Sequence, residues 1–227
     1  MADLTIVTAG ALVQPRQQAA RQLALITNGV PDFFFDAANN ESGTLGVIPH
    51  PRIGYLGNAR PPFDIDLLAA VFRRRRDWHL VLAGPIDKSL QIRALRALPN
   101  VHFLPSRPLE EVPALLRQWD VGLIPFKLND FSRALNPLKL GEYLACGLPV
   151  VATDLPELRA HGDLVWRTPN ESAGFEEAIA LALAVDRKSH ARRAVAAARE
   201  ITWTAIARRY ILPQLEAVFF LDRNRSV

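Results

Sequence analysis

The 227 residues are 49% apolar and 22% charged, with a formal net charge of +4 that comes mostly from arginine, the lysines being Lys88, Lys127, Lys139 and Lys188. That composition is an ordinary globular one, and no basic face interleaved with aromatics marks a nucleic-acid partner. The lone cysteine, Cys146, excludes an internal disulfide and fits a reducing, cytoplasmic setting; no apolar run is long enough to span a bilayer, so membrane contact is at most peripheral.

In chain order, Leu4–Thr8 reads as a strand, Ala11 to about Ala20 as a helix, and Leu23–Thr27 as a second strand closed by the turn pair Asn28-Gly29. One strand–helix–strand unit cannot bury a core alone. Residues 31–51, polar and proline-flanked, read as a linker in which Phe33, Phe34 and Phe35 can anchor to a neighbouring surface. From Arg52 onward, strands and helices alternate. Strands are expected at Ile53–Gly57, Trp78–Ala83, Val101–Leu104, Val121–Phe126, Leu148–Thr153 and Leu164–Arg167. Helices are expected at Ile65–Arg75, Lys88–Ala97 and Leu109–Gln118, from Asn136, and from Glu171 onward. This alternation predicts an α/β, Rossmann-like fold: a doubly wound parallel sheet with helices on both faces. The run Arg73–Arg76 falls at a helix end, where cations complement the dipole and are solvated. Trp203, Ile206, Tyr210 and Leu215 have helical spacing, with Trp203 expected in a core.

The stretch Asn136-Pro-Leu-Lys-Leu-Gly-Glu-Tyr-Leu-Ala-Cys-Gly-Leu-Pro-Val-Val151 carries the strongest local signal. Asn136 is suited to cap a helix, Pro137 to its first position, and Gly147 to a left-handed stop. Cys146, between Ala145 and Gly147, reads as a small packed residue. Asn136, Lys139 and Glu142 share one stripe, so helix amides, a cation and a carboxylate can meet a phosphate and a hydroxyl-bearing ligand. In a doubly wound sheet the ligand crevice lies beyond the carboxyl ends of the strands. The loops expected there contain Gly57 and Arg60, Gly84, Arg107, Lys127, and Asn136–Lys139. Arg60 can instead pair with Asp64, and Lys127 can be a solvated loop residue. No G-x-G-x-x-G, Walker A, H-E-x-x-H or paired Cys/His pattern is present, so neither a nicotinamide cofactor nor a metal is expected.

The order I-G-Y-L-G from Ile53 and N-P-L-K-L-G-E-Y-L-A-C-G-L-P-V-V-A-T from Asn136 resembles the retaining nucleotide-sugar glycosyltransferases with two Rossmann-like domains, the GT-B type, family 4 or group 1 in particular. The resemblance implies that residues 52–220 form the C-terminal, donor-binding domain and residues 1–30 the tail of an acceptor-binding domain, with 31–51 between them. It implies that Glu142 accepts hydrogen bonds from the donor ribose, and that amides around Pro137, Leu138 and Lys139 meet diphosphate and sugar. Gly57 and Arg60 would form the phosphate loop, and Leu104–Arg107 would lie beside the base. The only small molecule implied is a nucleoside-diphosphate sugar, as substrate and not as cofactor, in polysaccharide biosynthesis. Two departures stand out: Ala134 occupies the place of the motif's first glutamate, and the lysine after the phosphate-loop arginine is missing, a charge that Lys139 or Lys127 could replace. With most of an acceptor domain absent, the resemblance also leaves room for a non-catalytic nucleotide-sugar-binding subunit, or a fragment that needs a partner chain.

Overall fold

The computed structural model describes residues 2–18, 20–36 and 45–216; the polar middle of the 31–51 linker and the last residues of the 52–220 domain lie outside them. Strands β1 (Ala2–Val7) and β2 (Ala20–Leu25) form a small parallel sheet, with Val7 opposite Leu25. Between them run a 3-10 turn and α1 (Val13–Arg16). The helix expected to run from Ala11 to about Ala20 is shorter, a 3-10 turn leading into a single α-turn that ends at Arg16.

The main sheet has six parallel strands: β3 (Arg52–Leu56), β4 (His79–Ala83), β5 (Val101–Leu104), β6 (Val121–Ile124), β7 (Val150–Thr153) and β8 (Val165–Thr168). Around it run α2 (Ile65–Arg74), α3 (Arg93–Arg96), α4 (Val112–Leu116), α5 (Asp130–Arg133), α6 (Leu138–Ala145), α7 (Ser172–Leu183), α8 (Arg187–Arg199) and α9 (Trp203–Ile206). The spatial order β5-β4-β3-β6-β7-β8 shows the doubly wound pattern. The chain winds outward from β3 to β5, then returns to lay β6 against the other side of β3. That reversal opens a crevice at the carboxyl ends of β3 and β6.

The short central strands β6 and β7 are wholly buried, as their continuous apolar sequence requires of a sheet covered on both faces. At the reversal, Gly54 of β3 is in register with Gly122 of β6. A Cβ on Gly54 would lie 2.2 Å from the Trp119 ring, and one on Gly122 would lie 2.6 Å from the Tyr143 ring. The two bare strand positions therefore form a trough for two aromatic rings whose centroids are 6.2 Å apart. At the opposite end of the sheet, the buried Arg52 guanidinium donates to the carbonyls of Leu45, Ile48 and Gln118. Leu45, Ile48 and Phe34 join the main core, so Phe34 is the anchor among the three phenylalanines.

Three further expectations need correction. The helix over Lys88–Ala97 is reduced to α3, because the Asp87 side chain takes the Ser89 amide in a local turn that competes with helix formation. Trp203 is 41% exposed and lies outside the core, its ring against Gly29 and its amide bonded to the Val30 carbonyl. A π-turn over Ala207–Ile211 then shifts the helical phase, so Ile206 and Ile211, not Tyr210 and Leu215, pack toward Ala24 and Ile26. The third correction concerns Asn136, at the site.

Candidate functional site

Helix α6 is held at both ends and in the middle. At its C-terminus Gly147 takes φ +73°, while the Gly147 and Leu148 amides donate back to the Leu144 and Tyr143 carbonyls; this is the left-handed stop expected from sequence. At its N-terminus Pro137, not Asn136, occupies the cap position, and no side chain caps the helix. Asn136 instead ties the helix start to the small sheet's exit: its side-chain oxygen accepts from the Asn28 amide at 3.3 Å, and its carbonyl accepts from Asn28 Nδ2 at 2.7 Å. In the middle, the buried Tyr143 hydroxyl accepts the Leu56 amide at 2.9 Å and donates to the Leu123 carbonyl at 3.3 Å. It stitches α6 between β3 and β6, one residue before Gly57.

Beyond those strand ends lies a cleft of about 300 Å³. Its wall includes Gly57, Gly84, Arg107, Lys139 and Glu142, five of the residues singled out by sequence. Gly57 and Gly84 have φ of +107° and +127°, which glycine alone adopts readily. A Cβ on Gly84 would also lie 2.6 Å from the Gly57 carbonyl, so the β3 and β4 exits close tightly only without side chains. Lys139 reaches over bare Gly57, its Nζ 3.2 Å from where a Cβ would stand and 5.0 Å from the Tyr55 ring centroid. The ammonium has no ion pair or hydrogen bond among the described residues. Burial holds Lys139 below the ordinary lysine range; Glu142 pulls it back up, and the Arg60 charge pushes it further down. Burial likewise holds Glu142 above the ordinary carboxylate range, with Lys139 lowering it. One cation and one carboxylate, each partly stripped of water and not joined in a direct ion pair, line a common space.

The other candidates fall elsewhere. Arg60 is exposed and does not pair with Asp64; that carboxylate caps α2 through the Leu67 amide and also takes Asn170 Nδ2. Lys127 lies outside the cleft wall and bridges Asp66 at 3.2 Å, both side chains well exposed. Asn136, Pro137 and Leu138 line a smaller neighbouring cavity of about 40 Å³, with Asn28, Glu157 and His161. Cys146 is packed near the Pro113 carbonyl, and burial pushes its thiol up to about 12. Sequence reading missed Tyr143, whose hydroxyl positions the site helix. The signal available was Gly122, the bare strand position opposite it. Among the described residues, no group of three or more His, Cys, Asp or Glu side chains converges to hold a metal ion.

Known proteins share this fold. The group 1 glycosyl transferase family matches residues 50–184, more than half of the sequence. The chain belongs to the group 1 glycosyl transferases. Within that group it is 33% identical over 136 residues to TuaH of Bacillus subtilis, whose curated name proposes a teichuronic acid biosynthesis glycosyltransferase; the match covers 58% of this chain and 34% of TuaH. Among solved structures, sucrose-phosphate synthase from Thermosynechococcus elongatus superposes with a TM-score of 0.78 at 21% identity, covering 98% of this chain and 59% of the synthase. HepE of Anabaena, solved with UDP and glucose, gives 0.74 at 22% identity, covering 95% of this chain and 63% of HepE. This group 1 chain therefore spans about a third of its curated relative, and less than two thirds of each of these structures. The structural matches establish the shared GT-B fold. No helix among the described residues is long and apolar enough to cross a membrane.

Proposed function

We propose that this chain forms the C-terminal, donor-binding side of a retaining family 4 glycosyltransferase, which moves a sugar from a nucleoside diphosphate to an acceptor. The observation that carries the reading is the placement of Lys139 and Glu142 on one helix wall of the cleft at the strand reversal, both partly desolvated and held by no ion pair or hydrogen bond among the described residues. A diphosphate supplies the anion that Lys139 lacks, and ribose hydroxyls supply the donors that a buried Glu142 carboxylate needs. The bare backbone at Gly57 and Gly84 lets the phosphates approach the strand ends closely, and Arg60 stands near enough to shift Lys139. Family membership supports the reading, as do HepE, solved with UDP and glucose, and TuaH, named for teichuronic acid biosynthesis.

In this mechanism, the bond from the anomeric carbon to the diphosphate oxygen breaks as negative charge grows on the leaving group. Lys139, Arg60 and the free amides at the start of α6 stabilise that charge, and no metal is invoked. Lys139 takes the place of the family's phosphate-loop lysine, and Lys127 does not, since Lys127 is committed to Asp66 in solvent. The acceptor is held on the side of β1 and β2, which Asn28 ties to the start of α6. Calorimetric titration with nucleoside diphosphates tests the donor site, with Glu142→Ala and Lys139→Ala as controls. Saturable binding that both substitutions weaken is expected; a wild-type chain that binds no nucleoside diphosphate overturns the reading.

A further inference from the structure

We infer that Arg107 selects the nucleobase of the donor, favouring bases with a keto oxygen at pyrimidine C4 or purine C6, as in uracil and guanine, over cytosine and adenine, which carry an amino group there. The inference rests on the donor-site reading and goes beyond it to the substrate class. Its starting point is the layout of the cleft. The exits of β3, β4 and β5 stand side by side, so the cleft runs about 10 Å, two strand spacings, from Gly57 to the loop that follows Leu104. An extended nucleotide with its diphosphate beside Gly57 and Lys139, and its ribose on Glu142, brings its base to the β5 end. The wall there is apolar where a ring face would lie: Pro85, Pro105, Leu109 and Val112.

Arg107 is the charged side chain of that end. Its Nε is buried without a partner, and a single terminal nitrogen is engaged, at 3.3 Å, by Glu111, whose side chain is half in solvent and outside the cleft wall. A guanidinium offers only donors. The base edge farthest from the ribose carries the C4 or C6 substituent, and that edge is the one that reaches an outermost loop. A keto oxygen there accepts a charge-assisted hydrogen bond, whereas an amino group sets donor against donor and leaves both unsatisfied. Ser106, also on this wall, donates or accepts equally and does not discriminate.

Titration calorimetry of the whole chain with UDP, GDP, CDP and ADP tests the inference. UDP and GDP are expected to bind roughly tenfold to a hundredfold more tightly than CDP and ADP, the size of one good guanidinium contact to a base. Arg107→Met should level the four affinities, and Arg107→Lys should keep part of the preference; Glu111→Gln should keep all of it. Unchanged melting temperatures would show that the variants are folded. ADP or CDP binding as tightly as UDP and GDP overturns the inference and leaves the donor site standing, as does an unaltered preference in Arg107→Met. Loss of binding to all four nucleotides and to inorganic pyrophosphate is a separate outcome, which removes the donor site and this inference with it.

Discussion

The two ends of the main sheet use charge in opposite ways. At the amino ends of the strands, Arg52 and Asp120 are fully answered. Arg52 gives its guanidinium to three carbonyls, and Asp120 accepts from the Arg52 amide, from His50 Nδ1 at 2.6 Å and from Arg187 at 2.5 Å. At the carboxyl ends, Lys139 meets only the Tyr55 ring and the field of Glu142, and neither side chain is held in an ion pair or hydrogen bond among the described residues. Both ends are partly buried, so both bear a desolvation cost; only one recovers it within the protein. The satisfied end is a clasp that fixes the segment before β3 to the sheet. In the donor-site proposal, the open end gains its partners from a ligand.

Substitutions should separate the two ends cleanly. Arg52→Met leaves three carbonyls without their donor and is expected to cost about 3 kcal/mol of stability, read by chemical denaturation, with nucleotide affinity unchanged in the folded fraction. An affinity loss as large as the stability loss would erase the distinction between the ends. Lys139→Met should do the reverse, lowering pyrophosphate and nucleotide affinity by roughly tenfold to a hundredfold while leaving stability equal or slightly raised, since a half-buried cation held by no ion pair or hydrogen bond is removed. Glu142→Ala is expected to weaken nucleosides and nucleotides by about tenfold and to leave pyrophosphate alone.

Binding should also respond to pH. A bound diphosphate favours charged Lys139, so binding raises a lysine that burial holds low in the free chain. Affinity is therefore full below the free-chain value and is lost as pH rises through it, starting below the ordinary lysine range; calorimetry across the alkaline limb should show proton uptake on binding. Affinity that rises in that range would contradict the assignment of Lys139. The smallest effect belongs to Lys127→Ala, where an exposed pair is broken and affinity should change by less than about twofold.

Much of the fold was written in local pattern. β5 begins and ends where its apolar run does, and the Gly147 stop forms as its sequence dictates. Helices were harder wherever a side chain competes with the backbone, as Asp87 does. α5 stayed invisible beside the stronger stretch that follows it, although Asn129 and Ser132 form a reciprocal capping box at its start. At the site, Glu142, Lys139 and the two positive-φ glycines were legible because helical spacing and strand-end position are local facts. The roles of Asn136 and Tyr143 were not, because each is defined by a partner far along the chain: Asn28 for one, Leu56 for the other. A polar residue before a helix reads as a cap until the tertiary partner that claims it is known.

The trough at Gly54 and Gly122 has a consequence for how this cleft can change. The positions proposed to face the donor, Arg107 and Arg60, sit on loops, where new side chains would alter what is bound with little effect on what lies beneath. The glycine pair touches no ligand in this scheme, yet any side chain at either position would displace Trp119 or Tyr143, and with Tyr143 the helix that carries Lys139 and Glu142. The scaffold thus divides its sequence into a part free to explore new donors and a part that is not. The least substitutable positions of the site are two residues with no side chain at all.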